Sequence, residues 1–133
     1  MRRTVAPIIC GLALVLAGCS SPLADEIATY DPAEVQMLRD QAAAANFESD
    51  DESMLAILEY RQSCRDIRSG LDDLAAGASP DTVADTLEAQ IVEPFRETQP
   101  ESTEHNQMLV DALRLGDPAA MLRNHTLNCA DVT

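Results

Sequence analysis

Lysine is absent from the 133 residues, and every Lys/Arg-type cation is one of nine arginines. Against 23 carboxylates they leave a net charge of −14 at pH 7. A balance of that sign excludes nucleic acid and other polyanions as partners, because binding them requires lysines and arginines to displace counterions from phosphate. Histidine occurs only twice, as His105 and His125, so few groups are poised to move protons near neutral pH. The chain has no glycine-rich phosphate loop, no Gly-x-Ser-x-Gly elbow and no His-Glu-x-x-His. Adjacent acids such as Asp72 and Asp73 point to different sides of a helix and read as solvated surface. Catalysis is therefore not expected, nor is a cofactor or a metal. No segment alternates polar and apolar residues with β-branched enrichment, so no strand is expected. The apolar run from Val5 to Leu16, broken by Pro7, falls short of the roughly 20 residues that a spanning helix needs.

The N-terminal segment nevertheless has the parts of a secretory signal: Arg2 and Arg3, then the apolar run, then the small residue Gly18. The stretch Leu16-Ala17-Gly18-Cys19 resembles the lipobox of bacterial lipoproteins. That resemblance implies cleavage between Gly18 and Cys19, removal of residues 1–18, and a diacylglycerol on the Cys19 sulfur. It implies in turn a protein anchored on the extracytoplasmic face of a cell membrane. One acyl chain holds only reversibly, and the two or three chains of such proteins make attachment stable. Loss of Arg2 and Arg3 with the signal takes the net charge from −14 to −16. Residues 19–31 are small or polar with no apolar period and are expected to be a flexible tether, leaving 32–133 as one domain with a single core. A strongly acidic surface favours solubility and a monomer.

If Cys10 leaves with the signal and Cys19 carries lipid, Cys64 and Cys129 remain as one possible pair in an exported protein. Closing that loop would stabilise the fold by roughly 4 kcal/mol on the chain-entropy model. The same residues admit a second reading as a zinc site with His125 and His105. An oxidising compartment favours the cystine over the thiolates, so the disulfide is the expectation.

Turn and cap residues divide the rest into helices. Asp31-Pro32 pairs an N-cap with proline at the first helical position, and Val35, Leu38, Ala42 and Ala45 follow at helical spacing. The acidic run from Glu48 to Glu52 lacks the alternation and central glycine of a calcium loop, and reads as the start of the next helix. There Met54, Ile57 or Leu58, Cys64, Ile67, Leu71 and Leu74 make an apolar stripe interrupted by Arg61, with an end at Gly77. Ser79-Pro80-Asp81 restarts a helix carrying Val83, Leu87, Ile91 and Phe95, which Pro94 should end or kink. A polar linker over 97–104 leads to a helix with Met108, Leu109, Ala112 and Leu113 inward. After Leu115-Gly116-Asp117-Pro118 a last short helix brings Met121, Leu122 and His125 round before Cys129. Met108, Leu109, Met121 and Leu122 are the residues that would line a cavity for an apolar ligand.

The run Cys64-Arg-Asp-Ile-Arg-Ser-Gly70, preceded by Met37-Leu38-Arg39-Asp40 and followed by Ser79-Pro80, Val83, Leu87 and Cys129, resembles the small secreted helical domains of unknown function of mycobacteria and related actinobacteria. The resemblance implies an all-α domain with its two cysteines paired and no assigned activity. The chain is thus expected to be an all-α bundle of four to five short helices closed by one disulfide. Its expected role is that of a non-catalytic, surface-tethered binding module for an envelope protein partner or a small envelope ligand. The alternatives are an inhibitor or accessory subunit of an envelope enzyme, and a small hydrophobic-ligand carrier.

Overall fold

The structure, a computed structural model, describes residues 21–132. The expected signal 1–18 and the lipidation site, Gly18 and Cys19, lie outside the described residues. The described chain folds into α1 (Pro22–Ile27), α2 (Pro32–Ala44), α3 (Asp51–Ala75), α4 (Pro80–Leu87), α5 (Pro100–Arg114) and α6 (Pro118–Asn128), with no strand among the described residues. The all-α bundle is as expected, with one helix more than foreseen.

Local chemistry accounts for most boundaries. Five of the chain's seven prolines stand at the first position of a helix, where the missing N–H costs nothing. Side chains cap four of the starts: Ser21 Oγ accepts from Ala24 N at 3.1 Å, Asp31 Oδ1 from Ala33 N at 2.9 Å, Asp50 Oδ1 from Ser53 N at 2.8 Å, and Asp117 Oδ1 from Ala119 N at 3.1 Å. Ser79 holds the N-cap position of α4 without a side-chain bond. Three helices end alike. Asn46, Gly77 and Gly116 take positive φ after α2, α3 and α5, and the next residue's N–H bonds back to Ala42, Asp73 and Ala112 respectively. The two glycines adopt this left-handed turn without strain, and asparagine is the side chain that tolerates it best.

α3 is the spine. At about 1.5 Å per residue its 25 residues run some 37 Å, and the other helices divide its length. α1 and α2 cover the first half, burying Ile27 and Leu38 with Met54, Leu55 and Leu58. α4, α5 and α6 cover the second half, where Ile67 joins Val83, Ala84, Leu87, Ile91, Val92, Leu109, Val110, Leu113 and Met121. The chain is one compact domain, but its buried side chains form two clusters in place of the single core expected. Gly70 lies inside α3 because α4 crosses there: a Cβ at this position would stand 2.9 Å from Leu87 Cδ1 and 3.1 Å from Val83 Cγ1. Pro94 loosens the chain after α4 into a π-helical turn over Glu88–Val92 and a 3₁₀ turn over Glu93–Phe95.

The disulfide is formed. Cys64 in α3 and Cys129 at the end of α6 are bonded, with Cα atoms 5.6 Å apart and 65 residues between them in sequence. Ion pairs tie the more weakly packed elements. Leu38 is the one buried residue of α2, yet Glu34 beside it holds two arginines of α3. Its Oε1 accepts from Arg61 Nε at 2.5 Å and Arg65 Nη1 at 2.9 Å, and its Oε2 from Arg65 Nη2 at 3.1 Å. The Glu34 side chain is only 13% exposed. Arg65's hydrogen bond, partly offset by burial and reinforced by Arg61, holds the Glu34 carboxyl below its ordinary range. This explains the polar break at Arg61 in the α3 stripe. At the other end Arg114 of α5 reaches Asp85 at 2.8 Å and Glu88, fastening α5 to α4 and the π-helical turn.

Three expectations need correction. The stretch expected as a tether contains α1, whose Ile27 is buried against α3, so residues 22–27 belong to the fold. The linker over 97–104 is shorter than expected, because α5 already begins at Pro100 and buries Thr103. Met108 and Leu122 face outward, 59% and 54% exposed. On α5 the inward arc is Leu109, Val110 and Leu113, turned one residue from the expected set because α4, the π-helical turn and α6 all pack on that side. Of Ile57 and Leu58, it is Leu58 that is buried.

Replacing Cys129 by serine should lower the unfolding free energy by about 2–4 kcal/mol, read by urea denaturation with and without reductant on the native chain. Glu34→Gln should lower stability at pH 7 by about 1–3 kcal/mol, because two arginines lose a charged acceptor. A depressed carboxyl pKa contributes stability above the ordinary carboxylate range that is lost as pH falls through the depressed value. The gap between native and variant denaturation midpoints should therefore close on acidification.

Candidate functional site

Between the two buried clusters α3 is left partly uncovered, and a cleft of about 450 Å³ opens beside the disulfide. This is within the usual size of small-molecule sites. Helical spacing builds each wall. From α3 come Ala56, Glu59, Tyr60, Ser63, Cys64 and Ile67, one face at steps of three and four. The first turns of α5 add Glu101, Ser102, His105 and Asn106, and α6 adds Asn124, Asn128 and Cys129. Phe95 and Gln99, from the chain joining the π-helical turn to α5, close the remaining side. The apolar surface comes from Ala56, Ile67, Phe95 and the cystine, and a rim of amides and hydroxyls surrounds it.

Hydrogen bonds over long sequence distances hold this shape. The Tyr60 hydroxyl donates to the Asn128 carbonyl, satisfying one of the orphan acceptors at the end of α6. Gln99 Nε2 donates to Glu59 Oε2 at 2.7 Å, spanning from the segment before α5 to α3. Asn124 Nδ2 and His105 Nε2 are hydrogen-bonded at 2.7 Å, joining α6 to α5. Asn106 Nδ2 donates to the Ile91 carbonyl at 3.0 Å, where Pro94 has loosened the helix.

Glu59 is the electrostatic centre of the cleft. Burial pushes its carboxyl above the ordinary range, Gln99's hydrogen bond partly offsets this, and the charge of Glu26 on α1 adds to the rise. No ion pair reaches it among the described residues. Tyr30, after α1, is raised in turn by burial and then by Glu59 and Glu26. The lining contains two carboxylates, Glu59 and Glu101, and no arginine.

The residues singled out from sequence are distributed as follows. Cys64 and Cys129 come together and form a wall of the cleft, so their sulfurs are not free thiolates for zinc. His105 lines the cleft in its bond with Asn124, whereas His125 is half-buried away from the lining. Among the described residues no three His, Cys, Asp or Glu side chains converge as a metal site. The set expected around an apolar ligand is dispersed: Leu109 and Met121 are inside the core, Met108 and Leu122 face outward, and none lines the cleft. The acidic run over 48–52 caps and flanks the start of α3. Glu59, Tyr60, Gln99, Ser102 and Asn128 were not singled out from sequence. The one local trace they leave is polarity at Glu59 and Tyr60 on the long apolar helix.

A raised carboxyl pKa means that Glu59 contributes stability at low pH that is lost as pH rises through that raised value. Glu59→Gln keeps an acceptor for Gln99 and removes the charge, so the variant should gain stability relative to the native chain between pH 4 and pH 7. Urea denaturation at the two pH values checks the sign. No family model, curated protein or solved structure matches this chain.

Proposed function

We propose that the protein is a lipid-anchored binding module of the bacterial cell envelope, acylated at Cys19 and working without catalysis through the cleft beside its disulfide. The observation that carries the binding reading is the cleft itself, about 450 Å³ with an apolar floor and a hydrogen-bonding rim. The resemblance to the lipobox supports the anchor, and the absence of any helix among the described residues long and apolar enough to cross a membrane is compatible with it. A cystine between α3 and α6 suits an oxidising compartment and supports the same address. It also fits the likeness to the two-cysteine actinobacterial domains.

The non-catalytic reading is supported by how the reactive groups are committed. His105 is hydrogen-bonded to an amide and not to Ser63 or Ser102, and both sulfurs are oxidised. With α1 already present at Pro22, a lipid on Cys19 would hold the domain close to the bilayer and not at the end of a long stalk.

Expressed in a lipoprotein-processing bacterium, the native chain should partition with membranes, and its N-terminal peptide should begin at an acylated Cys19. Cys19→Ala should move it out of the membrane fraction. NMR of the purified protein against a set of neutral, cationic and anionic aromatic fragments should give shifts clustered on Ala56, Ser63, Phe95 and Ser102. Full-length unlipidated material in the cytosol overturns the anchor, and no perturbation of those four residues by any fragment overturns the binding reading.

A further inference from the structure

Resting on the reading of the cleft as a binding site, we infer the chemical class of its ligand. The cleft takes an organic cation with an apolar body, its ammonium or guanidinium group set against the Glu59 carboxylate and its hydrocarbon against Phe95, Ile67 and the cystine.

Three observations carry this. First, Glu59 is a half-buried carboxylate without a cationic partner among the described residues. Its single hydrogen bond is from Gln99 to Oε2. A carboxylate offers about four lone-pair sites, so acceptor capacity remains on the cleft side. None of the described arginines lines the cleft. Arg61 and Arg65 are held by Glu34, Arg96 by Glu93, and Arg114 by Asp85 and Glu88. A positively charged donor from outside would satisfy the group with a charge-assisted hydrogen bond, stronger than a neutral one.

Second, the rest of the lining selects sign. Glu101 brings a second negative charge and no arginine is present, so an anion would meet repulsion with no compensating group. The aromatic rings of Tyr60 and Phe95 also line the cleft, and aromatic faces attract cations. Glu26 lies near enough to Glu59 to raise its pKa, so the negative potential extends to the α1 side. A net charge of −14 draws cations toward the molecule from a distance.

Third, the apolar floor excludes a bare inorganic cation as the best fit. Ala56, Ile67, Phe95 and the sulfurs offer no oxygen ligands, and among the described residues no metal-holding group forms. A small hydrated ion would leave that surface wet, whereas an aryl or alkyl amine covers it.

The test is calorimetric titration of the full, membrane-extracted protein in neutral detergent with three probes of one shape: 4-phenylbutylammonium, 4-phenylbutanol and 4-phenylbutyrate. The ammonium should bind at least about tenfold more tightly than the alcohol, and the carboxylate should not bind. Glu59→Gln should weaken the ammonium at least about tenfold and leave the alcohol unchanged, with the fold checked by circular dichroism. Glu97→Gln, an exposed acid outside the lining, removes the same charge and should change affinity little, which separates the local contact from bulk attraction. Equal affinity for ammonium and alcohol, both abolished by Ser102→Trp, overturns the cation and leaves the binding module. Equal weakening by Glu59→Gln and Glu97→Gln likewise overturns it. Binding by none of the three probes overturns both readings. A capped tripeptide with one arginine between alanines gives the last arm: tighter binding than the free amine identifies the source as a side chain of a partner protein, and weaker binding identifies a small amine.

Discussion

The bond between Cys64 and Cys129 joins the end of the chain to the middle of its longest helix, and the layout of the molecule follows from where that join falls. Cys64 stands between Leu58, the last α3 residue of the first buried cluster, and Ile67, the α3 residue of the second. α1 and α2 seal the helix on one side of that point, and α4 to α6 seal it on the other. Neither cluster extends across, so the intervening turn of α3 is held by the cystine, the Glu34 ion pairs and a few hydrogen bonds in place of packed hydrocarbon. A cleft persists there because the covalent tie fixes α6 against α3 at its end while its body packs on α5. The same tie makes the arrangement economical for a small domain, since constraining the unfolded chain supplies stability that two modest clusters would otherwise have to find in burial.

Electrostatics complete the division of labour. A chain with so large an acidic surplus must spend its few cations carefully, and three of its described arginines act as clamps between helices. Glu34 with Arg61 and Arg65 compensates for the thin apolar face of α2, and Arg114 binds α5 to the loosened segment after α4. None of these residues lines the cleft. The cleft receives no arginine, which leaves Glu59 half-buried and, among the described residues, tied only to an amide. Where a half-buried carboxylate without a cationic partner stands beside an apolar hollow, that juxtaposition is the physical basis for reading the cleft as a place where something binds.

The helices were largely legible in advance because their signals act within one turn. Pro32, Pro80 and Pro118 open helices, Asp31 and Asp117 cap them, and Gly77 and Gly116 end them, each through a bond or a φ value set by residues one to five positions away. The spacing of Met54, Leu58, Cys64 and Ile67 likewise showed which face of α3 would be buried. The cystine followed from counting thiols once an exported address was read from the first residues. What failed was the finer rotation of α5 and α6, where Met108 and Leu122 are chemically as fit for burial as Val110 and Met121. Periodicity identifies a face to within about a residue, and the neighbours that cover it make the final choice.

The sequence by itself therefore determined an all-helical chain, the starts and stops of most of its helices, its charge and the expectation that Cys64 pairs with Cys129. Only the tertiary structure decided that residues 22–27 belong to the fold, that the buried groups split in two, and that an open cleft lies between them. The reason is distance along the chain. Gln99 meets Glu59 across 40 residues and Tyr60 meets Asn128 across 68. Amides, tyrosines and glutamates at such separations carry no local pattern that marks them as partners, so the site comes into being only when the helices are packed.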